Sequence, residues 1–279
     1  MTLHSVLLVD ADRSANEVLA GVLKREDRNI QQFAEAGQAV TRIRESPSDV
    51  VVAGVGLNGI DGFKLLRQLH QIRPETKVIL TGGEPDPARV IKAIRQQVYS
   101  YFHEPVPLGP LADMVQQALD SSFWQDDIKL VSTSPNWTTF DVKCRLAAGE
   151  RAIQFVREIE ADLAPKKQED IVAAFREVLM NSIEHGGRSD ARKHVRVSLL
   201  RTTHAVIVHL HDPGKGFHMA SLPHAAICNP NGAPLHHVEV RAEHGQRPGG
   251  FGILMARNLA DDVLYNAKGN EVLLVKYLT

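Results

Sequence analysis

Cysteine is nearly missing from this chain: its 279 residues contain two, Cys144 and Cys228. Two isolated thiols support neither a disulfide framework nor a metal-spacing pattern. An excess of one charge is missing too. Lysine and arginine number 32 and aspartate and glutamate 33, for a formal net charge of −1, so the bulk balance favours neither nucleic acid nor an anionic membrane. Long apolar runs are also absent. The longest, Val50-Val51-Val52-Ala53-Gly54-Val55, falls far short of the ~20 residues that a spanning helix needs. The opening Met1-Thr2-Leu3-His4 lacks the basic-then-apolar layout of a secretory signal, and no internal repeat is found. These absences predict a cytoplasmic protein with no membrane and no nucleic-acid partner. What is present is a globular composition, 43% hydrophobic and 23% charged. The length predicts two domains at roughly 150 residues each.

Residues 1–122 alternate short apolar runs with helical patterns. Ser5–Val9, Asp49–Ala53, Lys77–Leu80 and Val98–Phe102 read as buried strands. Ser14–Leu23, Ile60–Ile72, Pro87–Gln97 and Leu108–Phe123 read as helices. Such alternation predicts an α/β domain with a doubly wound parallel sheet, with chemistry at the carboxyl ends of its strands, near Asp10, Gly54, Thr81 and Glu104. Around residues 123–135 the period is lost, and Ser132-Thr133-Ser134-Pro135-Asn136 is turn-forming. That stretch is assigned as a linker. Residues 136–279 have another order: a strand at Thr138–Leu146, helices at Glu150–Leu163 and Glu169–His185, then strands at Val195–Leu200 and Ala205–His211. An irregular section, a helix after Gly252 and a hairpin-like end follow. This order predicts an α/β sandwich with helices on one face of an antiparallel sheet.

The first half resembles a response-regulator receiver domain. The resemblance rests on Asp10 after the first strand, Asn58-Gly59-Ile60-Asp61-Gly62, Thr81, Tyr101 and Pro105. It implies a phosphoacceptor aspartate seven positions before Asp61, but that position is Gly54, which has no nucleophile. Glu104 stands where the family has a lysine, and Ala11 takes the place of the second acid beside Asp10, with Asp12 one step late. Magnesium needs carboxylate and phosphate oxygens in tight octahedral geometry. The expectation is therefore a pseudoreceiver that accepts no phosphoryl group and works as an interaction module, with Thr81 and Tyr101 as ordinary packing or loop residues.

Three segments of the second half form a constellation. In Phe175–Gly186, Glu177, Asn181 and His185 recur every four residues and share one helix face. The amide of Asn181 can hold a cation through its carbonyl oxygen. In His211-Asp212-Pro213-Gly214-Lys215-Gly216-Phe217, an acid at a strand end can accept from an exocyclic amine, and the glycines let the backbone approach a planar ligand. In Arg247-Pro248-Gly249-Gly250-Phe251-Gly252, glycines feed a helix whose free N–H groups suit phosphate oxygens. In this order the segments resemble a Bergerat-fold (GHKL) ATPase, specifically the anti-sigma-factor serine kinases of bacterial partner switching. The resemblance runs from about Asn136 to the end.

By position, the resemblance implies ATP and Mg2+ as cofactors. Asn181 is then the magnesium ligand and Asp212 the adenine-amine acceptor, with Gly214, Gly216, Gly250 and Gly252 as nucleotide-contact glycines. Glu177 aligns with the base that takes the proton from a substrate hydroxyl. Arg247, and less favourably Arg241, could neutralise the γ-phosphate. The stretch between Phe217 and Gly249 matches a lid. Its histidines, His218, His224, His236, His237 and His244, have irregular spacing and no cysteine pair, so no zinc site is assigned. No histidine lies between His103 and His185, which excludes sensor-kinase autophosphorylation in cis, and no span is left for a helix-turn-helix output module. The expected function is a serine/threonine-protein kinase acting on an antagonist protein while sequestering a sigma factor or similar target, with a homodimer implied. The alternative is a non-catalytic module whose partner affinity ATP sets.

Overall fold

The structure, a computed structural model, describes residues 3–122, 124–134, 136–217, 235–236 and 251–278. The chain divides into two compact units. One comprises Met1–Gln125 with Gln154–Asp162, the other Asp126–Ile153 with Leu163–Thr279.

The first unit interleaves five strands with five helices. They are β1 (His4–Val9), α1 (Arg13–Leu23), β2 (Arg28–Phe33), α2 (Ala36–Glu45), β3 (Val50–Gly54), α3 (Gly62–Ile72), β4 (Lys77–Thr81), α4 (Pro87–Arg95), β5 (Ser100–Phe102) and α5 (Leu108–Asp120). The sheet is parallel in the order β2-β1-β3-β4-β5. Every residue of β3 and β4 is buried, as strands covered on both faces must be. Val6, Leu8, Val50, Val52 and Ile79 pack with Leu19 and Leu23 of α1 and Leu111, Val115 and Ala118 of α5. Two elements, β2 and α2, have no counterpart in the sequence reading. The strand β2 is an edge strand, Arg-Asn-Ile-Gln-Gln-Phe, and α2 buries only Ala36, Ala39 and Ile43. Neither carries enough apolar period to announce itself.

Three helices of this unit start under an aspartate. Asp12, Asp61 and Asp86 accept from the backbone N–H of Ser14, Lys64 and Ala88 at 2.8, 2.6 and 2.9 Å, which satisfies donors that a first turn leaves open. The carboxylate of Asp12 is thus committed to α1. At the end of β3, a Cβ on Gly54 would lie 2.8 Å from Asp10 Oδ2. Burial pushes the Asp10 pKa up; the Asp12 N–H opposes this, and the Asp12 and Glu104 carboxylates add to it. Tyr101 is buried, and its hydroxyl donates to the Gly82 carbonyl oxygen at 2.7 Å.

In the second unit, Ile128–Ser134 forms β6, which corrects the linker assignment of that stretch. Its alternation is weak because only Ile128 is buried, as befits an edge strand whose outer residues meet water. There follow β7 (Trp137–Lys143), α6 (Leu146–Ile159), which belongs to this unit only as far as Ile153, α7 (Pro165–Asn181), a π-helical turn (Ser182–Gly186), β8 (His194–Arg201), β9 (Ala205–His211), α8 (Gly252–Leu259), β10 (Asp262–Tyr265) and β11 (Glu271–Tyr277). The sheet runs β10-β11-β9-β8-β7-β6, antiparallel throughout. Alternate residues Val195, Val197 and Leu199 of β8, with Val206, Val208 and Leu210 of β9, are buried, as are Ile171, Phe175 and Val178 of α7. A nearly buried Lys276 ammonium ties β11 to two helices. It donates to Asp170 at 3.1 Å and to the Leu259 carbonyl at 2.8 Å. The expected α/β architecture, a parallel sheet in the first half and a helix-backed antiparallel sheet in the second, is the one adopted.

Candidate functional site

A cavity of about 470 Å³ opens in the second unit. Its walls come from the end of α7, the loop after β9, the start of α8 and the β10–β11 turn. Glu177, Asn181, Asp212, Gly214, Gly216 and Gly252 all line it, so six residues singled out from three distant segments converge. Arg247, Arg241 and Gly250 lie outside the described residues, as do Cys228, His218, His224, His237 and His244. Among the described residues, no group of three His, Cys, Asp or Glu side chains could hold a metal by itself.

Glu177 and Asn181 face the cavity one turn apart on α7. The helix widens after Asn181, where the expected stripe continues to His185. The N–H of Gly187 bonds to the Ser182 carbonyl at 2.8 Å, a π turn, and His185 lines the cavity wall with Glu177 and Asn181. The turn delivers Gly186 against Asp212. A Cβ on Gly186 would run into the Asp212 carboxylate, and one on Gly214 would lie 2.7 Å from Asp212 Oδ1. That same oxygen accepts from the Gly214 N–H at 2.7 Å. Burial pushes the Asp212 carboxyl up from its ordinary pKa, with the Gly214 N–H opposing the rise.

The β10–β11 turn locks the loop that carries Asp212. Asn266 Oδ1 accepts from the N–H groups of Gly269 and Asn270 at 2.7 and 3.1 Å, and the Asp212 N–H donates to the Asn270 carbonyl at 3.0 Å. Gly216 has φ +78, and a Cβ there would strike the Lys268 carbonyl oxygen, so only glycine fits. Phe217 and Tyr265 meet edge to face with centroids 5.3 Å apart, and burial raises the Tyr265 phenol to about 12. Sequence reasoning did not assign Gly186, Tyr265 or Asn270 to the site. Gly186 closed the Phe175–Gly186 motif; Tyr265 carried no signal beyond being an aromatic at a strand end.

At the other end of the cavity, α8 begins against the α7 stripe. A Cβ on Gly252 would lie 2.7 Å from Glu177 Oε2 and 3.2 Å from Asn181 Nδ2. Gly252→Ala is therefore expected to fold normally, since the tip of the Glu177 side chain can swing aside. The swing moves the carboxylate off its position. Thermal melting should stay within about 1 kcal/mol of wild type while any turnover depending on Glu177 falls.

Residues 142–276 match the family model of the histidine kinase-like ATPase domain, and residues 6–116 that of the response regulator receiver domain. This chain joins a receiver domain to a histidine kinase-like ATPase domain. It is similar to the C4-dicarboxylate transport transcriptional regulatory protein DctD of Pseudomonas aeruginosa, 33% identical over 115 residues, which are 41% of this chain and 25% of that protein. The protein of the same name from Rhizobium meliloti is 25% identical over 114 residues, covering 41% and 25%. Among solved structures, the signal receiver domain of an HD domain-containing protein from Pseudomonas fluorescens Pf-5 is 29% identical with a TM-score of 0.41, covering 43% of this chain and 89% of that one. The chain spans about a quarter of the length of these curated relatives. Among the described residues, no helix is long and apolar enough to cross a membrane.

Proposed function

We propose that the ATPase domain binds Mg-ATP in the 470 Å³ cavity and transfers the γ-phosphoryl group to a serine or threonine of an antagonist protein. The observation that carries this reading is the Glu177 carboxylate, one helical turn from Asn181 and against the first residue of α8. In that position it can take the proton of an attacking hydroxyl as the oxygen bonds to the γ-phosphorus and ADP leaves. Asp212 accepts from the adenine amine, and the start of α8 offers N–H groups to phosphate oxygens.

The charges on the wall fit a divalent ion. Glu177, Glu184, Asp212 and Glu271 line the cavity, and among the described lining residues Lys215 is the one lysine or arginine. A triphosphate entering there needs counter-charge. Asn181 Oδ1 is a hard oxygen donor suited to Mg2+, which usually takes a few protein ligands beside phosphate oxygens. When bound, the ion supplies electrostatic stabilisation of the transferring phosphoryl group.

The receiver domain reads as a non-phosphorylatable interaction module. Gly54 offers no nucleophile, and Glu104 adds negative charge beside Asp10 where phosphoryl oxygens would need a cation. Sequestration of a sigma factor or similar target by a homodimer of this chain completes the reading, on the strength of the motif resemblance. The test is incubation of the full chain with γ-labelled Mg-ATP and antagonist proteins encoded nearby. Label on serine or threonine of one of them is expected. Label retained on a histidine of the chain itself, or none on any protein, would sink the kinase reading.

A further inference from the structure

The receiver domain carries a charge pattern that phosphoryl chemistry does not use. The helices α3 (GFKLLRQLHQI) and α4 (PARVIKAIR) contain no aspartate or glutamate. They carry Lys64, Arg67, Lys92 and Arg95, all four exposed. Two contacts set the helices side by side and parallel. Lys92 Nζ lies 4.0 Å from the centre of the Phe63 ring, and one turn further along both helices Arg67 Nη1 donates to Gln96 Oε1 at 3.3 Å. Each helix spaces its two exposed cations three residues apart, on one side of its axis, so two basic rows line the α3–α4 groove, with Lys92 and Arg67 reaching across it. Among the described residues, none of the four forms an ion pair.

Local helix chemistry does not account for this pattern. Lys92 and Arg95 sit in the last turn of α4, where a cation offsets the helix dipole. Lys64, however, is the third residue of α3, in a first turn that the dipole makes unfavourable for a cation. At that same end, Asp61 and Asp86 cap α3 and α4. Asp86 is paired with Arg89 of the first turn of α4 at 4.0 Å, so the uncompensated negative charge at that end is Asp61, and the groove is positive along the rest.

We propose that this groove docks an acidic helix of a partner protein, with carboxylates at i, i+3 or i+4 spacing and its basic or amino-terminal end toward Asp61. Nucleic acid is a poor fit. It draws its affinity from a longer run of phosphate contacts and from stacking on exposed rings, whereas Phe63 lies buried beneath Lys92 and Asp61 repels a phosphate chain. A membrane is a poor fit as well, since none of the large exposed apolar side chains belongs to α3 or α4 and surface helices need such anchors. A helix bearing two carboxylate rows matches the groove in both charge and spacing.

The test is fluorescence anisotropy of the full chain with a labelled alanine-based helical peptide carrying glutamates at i, i+4 spacing. Saturable binding is expected, weakened about tenfold by K64E/R67E and again by K92E/R95E, and weakened by added salt. The control K24E/K129E changes the net charge equally at exposed lysines elsewhere and should leave the affinity unchanged. Circular dichroism checks folding, and K64Q/R67Q stands in if the reversal misfolds, with a smaller loss in the same direction. Four results overturn the proposal: no binding by wild type, equal losses in the control, tighter binding of an oligothymidylate of equal charge, or self-association of the chain that K64E/R67E abolishes.

Discussion

Glu177→Ala is expected to keep ATP affinity within about twofold of wild type and to lower phosphotransfer by roughly 10²- to 10⁴-fold, the range for loss of a positioned general base. The separation of the two effects follows from geometry. The Glu177 carboxylate touches the start of α8 and faces the cavity from α7, at the opposite end from Asp212. Its removal opens space beside Asn181 without disturbing the loop that carries Asp212. Calorimetry with Mg-ATP and a single-turnover assay on the antagonist protein measure the two quantities in one preparation. Undiminished transfer would place the base elsewhere. If wild type binds a partner in an ATP-dependent manner and transfers nothing, and Glu177→Ala does the same, the non-catalytic module replaces the kinase.

Asp212→Asn is expected to weaken ATP by about 1.5–3 kcal/mol, or roughly 10- to 150-fold, the scale of a hydrogen bond to a charged group. The substitution keeps an Oδ1 to accept the 2.7 Å bond from Gly214 N–H, so the loop retains its shape. What is lost is the carboxylate, replaced by a group that presents N–H to the adenine amine. Burial raises the Asp212 pKa in the folded chain, so the native state binds this proton more tightly than the unfolded chain. The stability tied to this group is thus fully present below the ordinary aspartate range and is lost as pH rises through the folded value. Asparagine removes that loss. The nucleotide-free variant should therefore melt at or above the wild-type temperature at neutral pH, while binding ATP worse. For wild type, ATP affinity should fall on acidification at a pH above that of an ordinary aspartate. An unchanged affinity in Asp212→Asn would remove this residue from the site, whatever the melting temperature does.

The two halves differ in how much of each was legible. Continuous apolar runs such as Val50–Ala53 declare a doubly covered strand, so the centre of the receiver sheet was readable residue by residue. Its edge was not. The strand β2 exposes or half-exposes five of its six residues, and α2 buries alanines, so neither element has the period that burial imprints on sequence. The same physics hid β6, an edge strand with one buried residue. Asp12, one step late for a metal pair, makes sense only once α1 is seen to start beneath it. A cap and a metal ligand are the same residue type at nearly the same place.

In the ATPase domain, local chemistry was enough to pick out Glu177, Asn181, Asp212, Gly214, Gly216 and Gly252 as residues that the fold gathers around one cavity, because each motif needs its residue types at a set spacing. Spacing along a chain cannot say what a glycine is for. That Gly186 makes room for the Asp212 carboxylate depends on a π turn meeting a β-strand loop. That Gly216 must be glycine depends on a carbonyl fifty-two residues away at Lys268. Composition likewise returned a net charge of −1 and concealed two acid-free helices, because a sum over residues discards where they lie. Period, spacing and residue type are properties of a one-dimensional string and can be read there. Close approach and the gathering of charge onto one face exist only after segments distant in sequence pack together.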